Sequence, residues 1–420
     1  MGFSRRDWLT LAAKAGAGSL ALRWRGAQAA VAKPALAPVA GGRSCILLYM
    51  AGGASHVDTF DLKPEKSSGG SFRAIRTKVD GLRISEHLPR LAARMHKLAL
   101  IRSMTAKEGN HSRARHLMHT GYAPAGGADH PALGSLLASG RAADEAGAGL
   151  PGYVAIGGPG EDAGFLSSAY SPFVVKNPLK PVRYLTLPRG IDAARFDRRL
   201  ELWRSLESGF SAGRGGTFAQ NRREVAEQAV ALMRSSEVRS FDLEEESPET
   251  RAAYGPSEFG AGCLMARRLC EAGAPFVEVT LNGWDTHEDN FNRVKALCQT
   301  LDQGFSALLD DLERRGRLSS TVLVWAGDFG RTPRINEKGG RDHHPAASSV
   351  LLAGGGMKPG MVIGETDAEG AEVRERPVTV PDLFRTLAHL LGLEPDRMRM
   401  SPAGRPIRTV DGGALITELI

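Results

Sequence analysis

Six short apolar runs punctuate the chain: Cys45–Met50, Leu98–Ile101, Gly152–Ile156, Phe276–Thr280, Thr321–Trp325 and Ser348–Leu352. Each is a nearly continuous apolar run with little polar alternation, the pattern of a strand buried on both faces. Between them lie longer stretches with apolar residues at helical spacing: His87–Lys97, Arg113–His119, Asp129–Arg141, Ser257–Ala272 and Phe291–Arg315. In the last, Leu297, Leu301, Phe305, Leu308 and Leu312 keep close to a 3.6-residue repeat. A further helix is predicted over Thr379–Gly392, with Thr379 as N-cap and Gly392 as C-cap. Phe72–Ile84 reads as a small hairpin. This alternation predicts a mostly parallel sheet with helices on both faces.

From Gly157 to Pro256 the pattern weakens. A Gly/Pro/Ser-rich stretch leads into the mostly polar helices Asp192–Ser208 and Phe218–Met233, and the segment reads as an insertion or cap on the sheet. The N-terminus differs again. Ser4-Arg5-Arg6-Asp7-Trp8-Leu9, a mildly apolar Thr10–Leu22 and Ala27-Gln28-Ala29 describe an export signal of the twin-arginine type over residues 1–29. The alternative is an amphipathic N-terminal helix. An Ala/Pro/Gly tether (30–42) and a single domain (43–420) follow, with a periplasmic or extracellular destination expected.

The formal net charge is +7, but residues 1–29 carry four of those charges, and the remaining three argue for neither nucleic acid nor membrane as partner. No apolar run is long enough to span a bilayer. Cys45, Cys263, Cys270 and Cys298 form no CxxC pair, so a thiolate zinc site is not expected. Buried thiols and a disulfide both fit their spacing.

Several runs end in groups that a buried strand has no use for. After the first come Gly52-Gly53, Asp58 and Asp61; after Thr280, Asp285 and His287; after Trp325, Asp328, Arg331, Arg341, His343 and His344. Ligands of open α/β sheets bind at the carboxyl ends of strands. Carboxylates and imidazoles from separate strand ends, without cysteine, suit zinc or manganese better than calcium. Asp58, Asp285, His287, Asp328, His343 and His344 are therefore the candidate metal ligands, for one divalent ion or two. Arg102, Arg331 and Arg341 could bind a phosphate or sulfate oxyanion as planar forks. Asn110, His111 and Ser112 open a helix, where backbone N–H groups favour an anion, although Ser112 could simply cap it. Each histidine, taken singly, could equally be satisfied by a neighbouring carboxylate.

Gly52-Gly53-x-Ser55-x-x-Asp58-Thr-Phe-Asp61-x-Lys63-Pro64, Gly283-Trp-Asp-Thr-His287, Asp328-Phe-Gly-Arg-Thr-Pro333 and Gly340-Arg-Asp-His-His-Pro345 resemble the signature blocks of the DUF1501 family, over about Cys45 to Gly413. The family is placed with the alkaline phosphatase and sulfatase superfamily. That resemblance implies an alkaline phosphatase-like α/β three-layer sandwich with metals at the carboxyl end of its sheet. It implies a metal-dependent hydrolase acting on a small anionic ester or anionic glycan, with Ser112 or a water as nucleophile and His111 beside it. Asp285 and His287, with His343 or His344, resemble the superfamily's first metal site, and Asp328 the carboxylate of its Asp-His-Gly block. Two departures stand out. Gly52-Gly53 replaces an aspartate after the first strand, and Phe329 replaces the block's histidine. A single altered site is the expectation, and a non-catalytic binder of an anionic ligand or cell-envelope partner is the alternative.

Overall fold

The computed structural model describes residues 44–124, 127–141, 149–214 and 216–420, so the expected signal and tether lie outside the described residues. Nine strands form one sheet: β1 (Ser44–Met50), β2 (Leu98–Thr105), β3 (Tyr153–Ile156), β4 (Phe173–Val175), β5 (Phe276–Leu281), β6 (Thr321–Gly327), β7 (Ser348–Gly354), β8 (Val362–Ile363) and β9 (Val378–Thr379). Their order is β8-β2-β7-β6-β1-β5-β3-β4, with β9 also on β2. All pairings are parallel except those of β7 with β6 and β2. A parallel neighbour needs a crossover, usually a helix. The β6–β7 connection has none, so β7 returns antiparallel and its entry residues reach the edge where β6 ends.

The main helices are α1 (His111–Thr120), α2 (Leu133–Arg141), α3 (Ala193–Arg214), α4 (Thr217–Arg234), α5 (Pro248–Tyr254), α6 (Glu258–Glu271), α7 (Asn290–Arg314) and α8 (Val380–Leu390). Strand residues alternate between two cores. Ile46, Leu48 and Met50 pack with α6 and α7, whereas Cys45, Leu47 and Tyr49 pack with α1, α2 and α8. The fold is thus a mixed α/β sandwich of helix, mostly parallel sheet and helix. At the N-terminus of α8 the Thr379 side chain accepts from the Asp382 backbone, while Asp382 caps in return. No described helix is long and apolar enough to cross a membrane.

Sequence pattern and structure differ in places. The helix expected over His87–Lys97 is one turn, Pro89–Ala92, followed by a 3-10 turn. The Asp302 carboxylate caps it through the Arg90 and Leu91 N–H groups, and the chain must extend again at Leu98 to enter β2. The segment read as an insertion supplies the edge strand β4 as well as α3 to α5. Cys45, Cys263 and Cys298 are fully buried thiols, and burial pushes each thiol pKa up.

An internal ion pair holds the loops at the carboxyl edge. Asp58 lies on a short helix after β1, and Arg341 lies in the β6–β7 connection. Arg341 Nε and Nη2 reach Asp58 Oδ2 and Oδ1 at 2.7 and 2.9 Å, with both residues fully buried. Its remaining donors go to the carbonyls of Ser68, Thr332 and Pro333. Asn290 adds a bond to Asp58 at 2.9 Å. Replacing one partner leaves the other charge buried alone. Arg341→Met is expected to cost about 3–5 kcal/mol in urea unfolding, and Asp58→Asn/Arg341→Met distinctly less than the two single losses combined.

Candidate metal centre

Connections after β1, β2, β5 and β6 meet at the carboxyl edge of the sheet. The β2 connection ends at Asn110, whose side chain caps α1 through the Ser112 and Arg113 N–H groups. This sets His111 in the first turn, aimed across the strand ends. The rest of α1 is tied to the sheet by polar groups on one side. His119 lies 3.2 Å from Glu278, a fully buried carboxylate on β5 that also accepts from Tyr153 at 2.7 Å, while Arg115 and His116 engage Glu161. Those anchors fix the helix, and with it His111.

The focus of the site is Asp285 Oδ1. Around it lie Nε2 of His111 at 3.3 Å, of His287 at 3.1 Å and of His343 at 3.4 Å. The Nε2 atoms of His287 and His343 are 2.9 Å apart. Each ring is held from behind by an acceptor on Nδ1: Asp328 for His111 at 2.6 Å, Asp342 for His287 at 2.9 Å and the Gly109 carbonyl for His343 at 2.7 Å. Carbonyls and carboxylates only accept, so each Nδ1 donates. In the neutral ring each Nε2 then presents a lone pair to the same point. Histidine ligands of metals are held in this way, with one nitrogen oriented by an outer acceptor and the other free to coordinate.

Charge supports that arrangement. Burial alone would raise the Asp285 pKa, but the Arg331 hydrogen bond and charge, with His111 and His287, bring it down to about 2. Burial lowers the His343 pKa and favours its neutral form. The His111 pKa is raised, first by its bond to Asp328. His111 Nε2 is buried and has no hydrogen-bond partner. A divalent ion held by His111, Asp285 and His343, with His287 beside them, would satisfy that orphan and the donor set together.

The structure thus brings together His111, Asp285, His287 and His343, and places the other expected residues elsewhere. Asp328 points its Oδ2 at His111 and at the Gly52 N–H, and its Oδ1 accepts from Tyr49. It orients a ring of the cluster from behind. His344 turns to the Ala371 carbonyl at 2.7 Å. Asp58 and Arg341 satisfy each other. Arg102 binds the Phe60 and Arg83 carbonyls. Arg331 is fully buried and spends its donors on the carbonyls of Gly52, Gly53 and Arg341 and on Asp285. Asn110 caps α1, and Ser112 is exposed in the helix's first turn, next to His111. Sequence reasoning missed Tyr49 and Asp342. Tyr49 was hidden in a run that reads as wholly apolar, and Asp342 was passed over beside the two histidines.

Gly52 and Gly53 explain why no acidic residue follows β1. They sit at φ 107° and 80°, and a Cβ on Gly52 would lie 2.4 Å from the Asp285 nitrogen. The backbone itself serves the site here, through Gly52 N–H to Asp328 and Gly52 C=O to Arg331.

An α/β protein with a histidine–carboxylate centre at its strand ends is the class that fold and site define. Residues 42–420 match the family described as "Protein of unknown function (DUF1501)", and the chain belongs to that family. Among solved structures it is similar to the lipoteichoic acid synthase LtaP from Listeria monocytogenes (12% identity, 90% of this chain and 79% of that one, TM-score 0.38). It is also similar to the phosphonate monoester hydrolase of Agrobacterium radiobacter (13%, 90% and 77%, TM-score 0.34). A third is the C-terminal periplasmic domain of EcEptC from Escherichia coli in complex with Zn (12%, 92% and 96%, TM-score 0.36). No curated protein matches the sequence. The candidate metal centre therefore rests on this chain's own residues.

Removing the acceptor behind His111, or the hydroxyl that steadies it, frees the ring without touching a ligand atom. Asp328→Asn and Tyr49→Phe are expected to weaken zinc binding about 10–100-fold in chelator competition. Unchanged affinity in both would contradict the orienting role.

Proposed function

We propose that this chain is an exported, metal-dependent hydrolase of phosphate or sulfate esters, working with one divalent ion, zinc or manganese. The observation that carries the reading is the convergence of three imidazole Nε2 atoms on one carboxylate oxygen at the carboxyl edge of the sheet. His111, Asp285, His287 and His343 would hold the ion. When bound, it would supply Lewis-acid polarisation of an ester oxygen. A second ion is disfavoured, because Phe329 packs against His111 and His343 and Asp58 is taken up by Arg341.

The chain's own residues then have distinct parts. Asp328, Asp342 and the Gly109 carbonyl keep the three rings oriented. Arg331 keeps Asp285 ionised and in place. Ser112, exposed beside His111, is the candidate nucleophile. The twin-arginine-type pattern in residues 1–29 supports export to the periplasmic or extracellular side, and the substrate class would be a small anionic ester or an anionic glycan. One observation favours a second reading, a non-catalytic metal centre that binds an anionic ligand or envelope partner. Arg102, Arg331 and Arg341, the expected oxyanion forks, all have carbonyl or carboxylate partners within the protein.

Elemental analysis of protein prepared without chelator, beside His287→Ala/His343→Ala, separates these readings. The hydrolase predicts about one ion per chain, lost in the variant together with hydrolysis of p-nitrophenyl phosphate or sulfate. Ser112→Ala should keep the ion and lose more than about a hundredfold in kcat. Bound metal with no hydrolysis of either ester supports the second reading, and no bound metal contradicts both.

A further inference from the structure

The small net charge of the chain conceals a strong asymmetry. Residues 176–234 hold 12 Lys and Arg against 6 Asp and Glu, a net of +6, whereas the remainder of 30–420 carries −3. The same segment concentrates exposed apolar side chains. Six of the eleven large hydrophobic residues exposed among those described lie in it, including Tyr184 at 85% and Phe218 at 78%. Scattered singly, such residues need no explanation; gathered in one segment they mark a contact surface.

Helix α3 shows how the surface is built. Phe196, Leu200, Trp203 and Glu207 recur at helical spacing and face inward, with Leu200 and Glu207 buried. A second stripe of the same helix, Arg195, Arg198, Arg199, Leu202 and Leu206, is exposed throughout. No carboxylate pairs with those three arginines among the described residues. Ion pairs Arg204–Glu227, Arg222–Glu207 and Arg234–Asp197 set α4 antiparallel beside α3. Phe218, at the start of α4, is exposed as well, whereas Arg222 is taken up by Glu207. Val225 and Tyr184 also line a groove of about 950 Å³ whose walls include Leu150, Tyr170, Phe173 and Leu232.

Arginines interspersed with leucine and phenylalanine, without a charge-free centre, are unlike the core of a protein–protein interface, which is depleted of charge. They suit the boundary between anionic headgroups and acyl chains, where basic groups meet lipid phosphates and apolar side chains enter below them. We propose that the exposed arginine–leucine stripe of α3, with Phe218 at the start of α4, docks this protein on an anionic lipid bilayer. The proposal is independent of the metal centre and of any ester hydrolysis.

The test is co-sedimentation of the full chain with vesicles of phosphatidylcholine alone, and of phosphatidylcholine with about a third phosphatidylglycerol. Two variants of exposed residues accompany it, Arg195→Glu/Arg198→Glu/Arg199→Glu and Leu202→Ser/Leu206→Ser/Phe218→Ser. Binding is expected only to the anionic vesicles and should weaken as salt rises. The charge variant should lose roughly a hundredfold or more in partitioning, the apolar variant at least about tenfold. Amide exchange on the vesicles should slow in α3 and α4, which separates this face from any contribution of residues 1–29. Equal binding by wild type and both variants, or protection outside α3 and α4, would overturn the proposal. So would concentration-dependent self-association, abolished by the apolar variant, with no vesicle binding.

Discussion

The site depends on one buried guanidinium. Arg331 enters from the strand pair after β6, bonds the Gly52 and Gly53 carbonyls of the β1 loop and the Arg341 carbonyl of its own connection, and ends on Asp285 from the β5 loop. Three separate connections are tied by a guanidinium that is itself fully buried, where an unpaired charge would be costly, while Asp285 stays half exposed. Asp285 is therefore both a structural partner and the negative centre toward which the three imidazole nitrogens turn. Loop closure and the candidate metal site share a residue, so the fold of this edge and the electrostatics of the site cannot vary independently.

A second support comes from the other side of the sheet. Helix α1 presents His111 from its first turn, and its body is held by His119 on Glu278 and by Arg115 and His116 on Glu161. A carboxylate in the middle of a core strand is expensive unless its partners are fixed. Here Tyr153, Thr280 and His119 surround Glu278. Tyr49 joins the two regions, bonding Asp328 through its hydroxyl and packing its ring against His119 at 4.6 Å. The polar residues inside this sheet thus lie behind the histidine–carboxylate cluster and hold its parts in position.

Much of this was legible in the sequence. Continuous apolar runs located the main core strands, and polar residues clustered after them pointed to the carboxyl edge. Asp285, His287 and His343 were readable because they stand in short blocks just beyond strand ends. What escaped depends on partners far apart in the chain. Asp58 resembled a metal ligand until Arg341, 283 residues away, took both its oxygens. His343 and His344 are adjacent, yet in an extended segment neighbouring side chains point to opposite sides, so only one reaches the cluster. The sequence places His111 only beside Ser112 at a helix start, because spacing cannot tell which nitrogen of a ring is held from behind. The Gly52-Gly53 pair looked like a lost ligand, whereas its backbone supplies both a donor and an acceptor.

In the proposed centre, His111, His287 and His343 hold one divalent ion with Asp285. X-ray absorption at the edge of the metal that copurifies with the protein tests it most directly. The predicted result is a first shell of nitrogen and oxygen with strong imidazole multiple scattering, diminished in His111→Ala and in His343→Ala. An oxygen-only or sulfur-containing shell, or spectra unchanged in both variants, would contradict the account.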